Sequence, residues 1–323
     1  MRAMILAAGL GTRLRPLTHV RPKALVPIMG TTVLRFWFEK LREMGFDGVV
    51  VNAFHRPEQI LAEVGLWQAD IPAMVQVEAQ ILGTGGGIRN VLDFFEDEPF
   101  VVVNGDVLCD APLGELAGQF LRTEEDVGLL LHDWPVFNNV AVDAEGHIRG
   151  FGAEARSLAR NRTDIRLQAF TGIHFLKPHV LEPWLIGQPI DIIDVYRQEI
   201  AAGRPPRAFF SPRLFWREMG SVEAYWGLHR ELSSLPQGFL PPIQTGQPCW
   251  RHPTAVISSD AELTGVIVVG ARSRIMPRCR LKDVILWDDV TLEPGTILRN
   301  CVLTDQVICS GHHENQTLVG ESC

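Results

Sequence analysis

The sequence predicts an α/β protein, a mainly parallel sheet with helices on both faces, followed by a short β-helix. Three observations carry that expectation. Apolar runs of strand length alternate with segments of helical periodicity over residues 2–104. A loop dense in Gly, Arg and Pro follows the first apolar run. The last quarter of the chain repeats apolar runs at a spacing of 17–18 residues.

Residues 2–7 form an apolar run suited to a buried strand, and the loop Ala8–Thr18 follows it. From Thr32 to Met44, the residues Val33, Leu34, Trp37, Leu41 and Met44 recur at helical spacing. Gly48–Ala53 reads as a strand, Pro57–Val64 as a helix and Ala73–Val77 as extended. Ile88–Phe95 reads as a helix, and Pro99–Asn104, with Val101, Val102 and Val103, as a strand. In such a sheet, ligands bind beyond the carboxyl ends of the strands, where the loops after Ala7 and after Asn104 both fall. Farther on, Leu129–Leu131, Phe170–Leu176 and Phe209–Arg217 read as strands and Asp143–Gly146 as a hairpin turn. Ser221 is placed to cap a helix running to about Leu232.

Ser233–Pro242 carries Pro, Gly and Ser and reads as a linker. The expected organisation is therefore a large domain over 1–232, a linker over 233–250 and a repeat domain with a short tail over 251–323. Val266, Val284 and Cys301 each open a similar unit, 18 and then 17 residues apart, with turns such as Pro294-Gly295. Three short strands per unit fit a β-helix coil, with a small β-sandwich as the alternative. About three coils are visible, and His312-His313 fall beyond the last clear one.

A chain of 323 residues with 46% hydrophobic content suffices for one large domain plus a smaller one. Its formal net charge of -8 argues against a polyanion such as nucleic acid as the main partner. An anionic small substrate then requires a local cluster of cations. The six cysteines, Cys109, Cys249, Cys279, Cys301, Cys309 and Cys323, contain no C-x-x-C pair and read as reduced thiols of a cytoplasmic protein. The first apolar run is too short for a signal peptide, and no run of about 18 apolar residues is present to span a membrane.

The loop after the first strand carries the chemistry. Gly9 and Gly11 leave room for backbone N–H groups to approach a phosphate. Arg13 presents a planar fork suited to phosphate oxygens, and Lys23 a mobile point charge. The dinucleotide fingerprint fails, because Leu14 stands where a third Gly is needed, and the Gly-Lys-Ser/Thr close of a P-loop is absent.

The run Leu6-Ala-Ala-Gly-Leu-Gly-Thr-Arg-Leu-Arg-Pro-Leu-Thr18, with Pro22-Lys-Ala-Leu-Val-Pro27, closely resembles the opening of the sugar-phosphate nucleotidyltransferases. That family includes mannose-1-phosphate guanylyltransferases, glucose-1-phosphate uridylyl- and thymidylyltransferases, and N-acetylmuramate-1-phosphate uridylyltransferase. The resemblance covers nearly the whole chain. It implies a Rossmann-like mixed, mainly parallel sheet and a left-handed hand for the C-terminal β-helix. It also implies transfer of a nucleotidyl group from an NTP to a sugar 1-phosphate with Mg²⁺. On this resemblance, Arg13 holds the phosphates that leave as pyrophosphate and Lys23 contacts phosphate oxygens at the reacting end. Ala7, Ala8, Gly9, Gly11 and Thr12 line the nucleotide.

Asp106, in Asn104-Gly-Asp106 at the end of a strand, takes the family's role of metal ligand, whereas alone it would read as a turn residue. Gln80-Ile-Leu-Gly-Thr-Gly-Gly-Gly-Ile88 resembles the base-reading segment, with Gln80 offering a donor and an acceptor and Gly85 lying at the base. Phe170-Thr-Gly-Ile-His-Phe175 resembles the sugar-contacting strand, which assigns Asn104, Thr171 and Gly172 to the sugar and leaves His174 as a packed strand residue.

Two departures stand out. Glu218, in Phe215-Trp-Arg-Glu-Met-Gly-Ser221, occupies the position of the family's second metal-binding Asp. The family's Glu-Lys-Pro is replaced by Gly150-Phe-Gly-Ala-Glu-Ala-Arg156, leaving Arg156 or another cation to take the place of the Lys. They motivate a rival reading, a non-catalytic nucleotide-sugar sensor. An acyltransferase fits less well, since it calls for a longer repeat array and a His at a coil edge. The open ends of a β-helix expose strand edges, so a homo-oligomer through that domain is a further expectation.

Overall fold

The computed structural model describes residues 1–67 and 70–320; Cys323 lies outside the described residues. The chain divides into two compact units, each built from two separate stretches. One comprises Met1–Gly9 and Trp37–Arg217, the other Leu10–Phe36 and Glu218–Cys323.

The core of the first unit is a mixed sheet. Its main path runs Ala73–Val77, Val49–Ala53, Ala3–Leu6, Phe100–Asn104, Arg166–Leu176, Val127–His132 and Arg207–Phe210. All of these share one direction except Arg166–Leu176, which is antiparallel to both of its main-path neighbours. Val49–Ala53 is buried at every residue, as a strand covered on both faces should be. Strand side chains alternate between faces. On Arg166–Leu176, His174 meets Tyr196 of the helix Ile192–Ala201, whereas its neighbour Phe175 stacks on Phe120 of the helix Leu113–Phe120. These two helices therefore cover opposite faces. The antiparallel strands Val140–Val142 and Ile148–Phe151 extend the amino-terminal half of Arg166–Leu176, joined by a turn in which Gly146 N–H donates to the Asp143 carbonyl at 3.1 Å.

The first strand sits where the chain order reverses. Leu6 is level with Asn52 on one side and Asn104 on the other, and Asn52 is level with Gln76. The loops after these strands leave one carboxyl edge, the usual ligand crevice of such sheets.

Three local expectations are corrected. The helix expected at Ile88–Phe95 begins earlier, at Gly83–Arg89, and Leu92–Phe95 is a separate 3-10 turn. Run-in glycines disfavour a helix by propensity, but here Gly85 and Gly86 N–H both donate to the Ile190 carbonyl, at 2.9 and 3.2 Å. That tertiary contact satisfies the open helix start. The strand expected at Phe209–Arg217 is two strands, Arg207–Phe210 and Trp216–Glu218, parted by a turn with Pro212 and with Arg213 at φ 56°. Phe170–Leu176 starts earlier, at Arg166.

In the second unit, Leu10–Phe36 winds through three short 3-10 turns, Thr12–Leu14, Leu17–His19 and Lys23–Leu25. Ser221 caps the helix Val222–Ser234 by accepting the Ala224 N–H at 3.1 Å. The repeats form a β-helix, not a sandwich, because each run pairs in parallel with its equivalent in the next coil. Val256–Ile257 pairs with Arg274–Ile275, then Thr291–Leu292, then Ile308–Cys309. Glu262–Val269, Arg280–Leu286 and Ile297–Leu303 stack likewise. The first coil is one residue longer than the next, and the extra residue is housed between Thr264 and Ile267, where the register shifts. Gly265 takes φ 70° there, against the Asp283 carboxylate. Ile267, Val284 and Cys301 stack through the interior, joined by Cys279, Cys309 and Leu292. His312-His313 do not lie beyond the repeats; His312–Glu314 pairs with Ile297–Arg299 and continues the array. The step from Ile297 to His312 is 15 residues, shorter than the 17 from Arg280 to Ile297, so the last coil departs from the period of the earlier ones. Among the described residues no helix is long and apolar enough to cross a membrane.

Candidate active site

The sequence-derived site residues fall into two groups, one in each unit.

In the first unit, Ala7 N–H donates to Asn52 Oδ1 at 2.7 Å, and Asn52 Nδ2 donates to Glu78 Oε1 at 2.8 Å. The other carboxylate oxygen of Glu78 accepts the Leu82 N–H at 3.1 Å. Asn52 and Glu78 are both buried. Burial raises the Glu78 pKa, and the Asn52 and Leu82 donors oppose the rise. This chain of bonds ties the start of the glycine loop to the segment expected to read the base. Ala7 and Ala8 are buried, whereas Gly9 is exposed, with open space where a Cβ would stand. The backbone at Gly9 is therefore accessible to a ligand.

The Gly83–Arg89 helix is pressed against residues 187–192. A Cβ at Gly86 would stand 2.4 Å from the Gln188 carbonyl oxygen, and one at Gly87 2.8 Å from Asn52 Nδ2. Ile190 crowds Gly85 in the same way. The triple glycine is thus a packing requirement of this chain. Gln80 is exposed, and its Nε2 donates to the Gly187 carbonyl at 3.1 Å. The 187–192 segment was not singled out from sequence, since nothing in it marks a partner 100 residues away.

Asn104 ends its strand, and Gly105 N–H donates to the Leu6 carbonyl at 2.9 Å, which fixes where Asp106 leaves the sheet. Asp106 is half-buried. Gly172 has φ 80°, and a Cβ there would lie 2.5 Å from Asn104 Nδ2, so these two expected sugar residues are packed together. They lie where Arg166–Leu176 changes register between Phe170 and His174, a bulge of the kind that re-aims side chains beside sites. Thr171 lies in the same strand. It is fully buried, and its hydroxyl donates to the Leu130 carbonyl at 2.8 Å. Its hydroxyl is thus committed to a contact within the sheet. His174 is buried against the Tyr196 hydroxyl, and burial pushes its pKa down to about 3, so it is a neutral packing residue.

An aromatic group not foreseen from sequence gathers behind Thr171. Trp216 Nε1 donates to the Thr171 carbonyl at 2.8 Å, and His132, Trp134 and Phe137 pack around the Trp216 ring. Arg217 stacks over Trp134, 4.8 Å from the ring centre. Arg156 lies exposed on the helix Gly152–Asn161.

In the second unit, Gly11 adopts φ 58° and opens the Thr12–Leu14 turn; a Cβ there would stand 2.7 Å from Thr18 Cγ2 and 3.2 Å from Lys23 Cβ. Thr18, nearly fully buried, donates from its hydroxyl to the Gly11 carbonyl at 3.0 Å. Leu14 and Leu17 are buried and root the loop, leaving Thr12 and Arg13 exposed. Arg13 and Lys23 converge on Glu218. Arg13 Nη2 donates to Glu218 Oε1 at 2.7 Å, and Lys23 Nζ lies 4.0 Å from the same oxygen. Gly220 leaves room for this cluster, with a Cβ position 3.0 Å from Glu218 Oε1 and 3.3 Å from Arg13 Nη1.

The donor chemistry suits a hard divalent cation held mainly by carboxylates. Among the described residues no three His, Cys, Asp or Glu side chains form a ready metal cage.

A family model described as "Nucleotidyl transferase" matches residues 2–234. The chain is 29% identical over 304 residues to the mannose-1-phosphate guanylyltransferase of Mycobacterium tuberculosis, covering 92% of this chain and 82% of that one. It is 29% identical over 306 residues to the UTP–glucose-1-phosphate uridylyltransferase of Synechocystis, covering 85% of this chain and 75% of that one. Among solved structures, a putative glucose-1-phosphate thymidylyltransferase from Bacillus anthracis superposes with a TM-score of 0.62 at 18% identity, covering 74% of this chain and 97% of that one. HddC from Yersinia pseudotuberculosis in complex with GMP-PN does so with a TM-score of 0.57 at 20% identity, covering 70% and 97%. At these identities the two structures establish the shared fold.

Proposed function

Because the chain belongs to the nucleotidyl transferase family, we propose that it couples an NTP to a hexose 1-phosphate, giving a nucleotide-sugar and pyrophosphate. Mannose 1-phosphate with GTP is the first pairing, on the strength of the guanylyltransferase relatives. A uridylyltransferase is the second, supported by a uridylyltransferase relative. Residues 1–232 are proposed as the catalytic domain, 233–250 as a linker and 251–323 as the β-helix with its tail.

The observation that carries the reading is the convergence of Arg13 and Lys23 on one carboxylate within a glycine-lined loop. An acidic chain that binds a triphosphate needs such a local concentration of positive charge. A sugar 1-phosphate oxygen is already anionic at neutral pH, so no general base is required. That oxygen forms a new bond to the α-phosphorus while the bond from the α-phosphorus to the bridging oxygen breaks, and pyrophosphate leaves with the electron pair. The protein's task is to align two repelling anions and neutralise developing charge. Arg13 is assigned to the departing phosphates and Lys23 to the reacting end. The backbone at Ala7, Ala8, Gly9, Gly11 and Thr12 cradles the nucleotide. Gln80 and Gly85 border the base, and Asn104 and Gly172 border the sugar, with Thr171 supporting their strand.

Enzymes of this family generally use a divalent metal ion; Mg²⁺ is the ion proposed here. Asp106, joined by Glu218, would hold it, and it would neutralise phosphate oxygens and orient the triphosphate.

The test is pyrophosphate release from a panel of NTPs and sugar 1-phosphates with Mg²⁺. Release with one pair supports the reading and names the substrates. Tight binding of a nucleotide-sugar with no release from any pair would replace it with the sensor reading, which Glu218 in place of an Asp and the missing Glu-Lys-Pro motivate.

A further inference from the structure

The β-helix grips the loop that carries Lys23. Arg21 Nε donates to Asp305 Oδ2, and its Nη2 donates to Asp305 Oδ1 and Asp288 Oδ2, all at 2.7 Å. The guanidinium also lies 5.5 Å from the centre of the Trp287 ring. Asp288 and Asp305 occupy equivalent positions in successive coils, and the coil backbone fixes both. Asp288 Oδ1 accepts the Ala271 N–H at 2.7 Å, and Asp305 Oδ1 accepts the Asp288 N–H at 3.1 Å. The carboxylates are therefore oriented before Arg21 arrives, and a planar bidentate fork suits them better than a point charge.

A second tether starts from the neighbouring residue. Trp287 Nε1 donates to the buried Tyr225 hydroxyl at 3.1 Å, and that hydroxyl donates to the Pro27 carbonyl at 2.8 Å. A third anchor lies at Gly30, where a Cβ would come within 2.3 Å of the Trp250 ring at the start of the β-helix. Lys23 lies between the first two anchors, two residues after Arg21 and four before Pro27. Its side chain is only 12% exposed, so its reach is set by where the backbone of residues 21–27 is held.

We propose that Arg21 is a positioning residue for the nucleotidyl transfer, which clamps the phosphate loop to Asp288 and Asp305 of the β-helix and thereby sets the position of Lys23. The inference rests on the reading of Lys23 as a phosphate ligand. It gives the β-helix a task in the reaction of its own chain, separate from any role in assembly.

The test is a double-mutant cycle on the full chain. Arg21→Met is expected to lower kcat by about 10- to 100-fold, the scale of a small misplacement of a catalytic group, with a smaller change in KM for the NTP. In a Lys23→Ala background, Arg21→Met should cause no further loss, because it acts through Lys23. Arg21→Lys should recover part of the rate, since it keeps the charge without the fork. Full activity of Arg21→Met, or a loss that multiplies with that of Lys23→Ala, overturns the proposal. Should Arg21→Met fail to fold, Tyr225→Phe removes the second tether alone and enters the same cycle with the same two outcomes. Backbone amide exchange of residues 20–26 separates this proposal from the functional reading beneath it. The clamp requires faster exchange there in Arg21→Met, with the β-helix amides unchanged, whether or not the wild type releases pyrophosphate. Wild-type exchange in the loop would dismiss the clamp, whereas absence of pyrophosphate from the wild type with every substrate pair would dismiss only the activity.

Discussion

Arg13 donates to Glu218 Oε1 at 2.7 Å while Lys23 stands 4.0 Å from the same oxygen, so one carboxylate serves as counter-ion to both loop cations. The Arg13 side chain is 70% exposed, and exposed ion pairs contribute about 0–1 kcal/mol. The pair is therefore easily exchanged for a triphosphate. Arg13→Ala should slow pyrophosphate release by ~10²–10³, while the urea midpoint moves little. A large drop in stability with a normal rate per folded molecule would show that Arg13 serves the fold instead.

Glu218 is one carbon longer than the Asp expected at its position. Glu218→Asp should keep activity within about tenfold, whereas Glu218→Ala should lose ~10²–10³ in rate and need more Mg²⁺ for half-maximal activity. Titrating Mg²⁺ against rate for both variants checks this. An unchanged Mg²⁺ requirement in Glu218→Ala would leave the metal role to Asp106 alone.

Asn52 joins the Ala7 N–H to the buried Glu78 carboxylate. Asn52→Leu strands both groups and should cost about 1–3 kcal/mol of stability. It should also raise KM for the NTP, since Ala7 begins the phosphate loop. Thermal unfolding together with steady-state kinetics reads both effects, and a variant as stable as wild type would mean that the two groups find other partners.

Gly86 in the Gly83–Arg89 helix and Gly9 in the loop should respond in opposite ways. Gly86→Ala forces a Cβ to within 2.4 Å of the Gln188 carbonyl oxygen and should destabilise by about 1–3 kcal/mol. Gly9→Ala meets open space and should change stability by less than about 0.5 kcal/mol. Its methyl group should instead obstruct the phosphates, so NTP affinity, measured by calorimetry, should fall. Normal affinity in Gly9→Ala would remove the phosphates from that position.

Acid should destabilise the first unit through Asp143 and Asp126. Burial raises each pKa, but at Asp143 the His147 N–H and the Arg149 guanidinium outweigh it, and at Asp126 Lys177 and His179 do so. Both carboxylates are held below their ordinary values. Their stabilisation is therefore complete above the unfolded-state value of about 3.9 and is lost as pH falls through the lower folded values. Urea midpoints measured from pH 7 to pH 2 should fall below about pH 4, less steeply in Asp143→Asn. An identical acid limb in that variant would assign the transition to other groups.

Local pattern made much of the architecture legible. Val101, Val102 and Val103 announced a strand buried on both faces, and Ser221 announced a helix start, because burial and capping leave their mark in neighbouring residues. The repeats were legible because Ile267, Val284 and Cys301 fill one interior column. One further signal was present but unread. Val49-Val-Val-Asn52 and Val101-Val-Val-Asn104 are the same word, and the two asparagines are level with Leu6 in the strands on either side of it.

The sequence alone determined the alternation of strand and helix, the repeat, and which residue types are available for binding phosphate, since these follow from periodicity and from side-chain chemistry. Only the tertiary structure decided that Gly85 and Gly86 make room for residues 187–192, that the Thr171 hydroxyl bonds within the sheet, and that Arg21 reaches Asp288 and Asp305. The physical reason is separation along the chain. A close approach or an ion pair between residues 100 or more positions apart leaves no trace in local propensity, and it exists only once the folded backbone has brought the partners within a few ångströms.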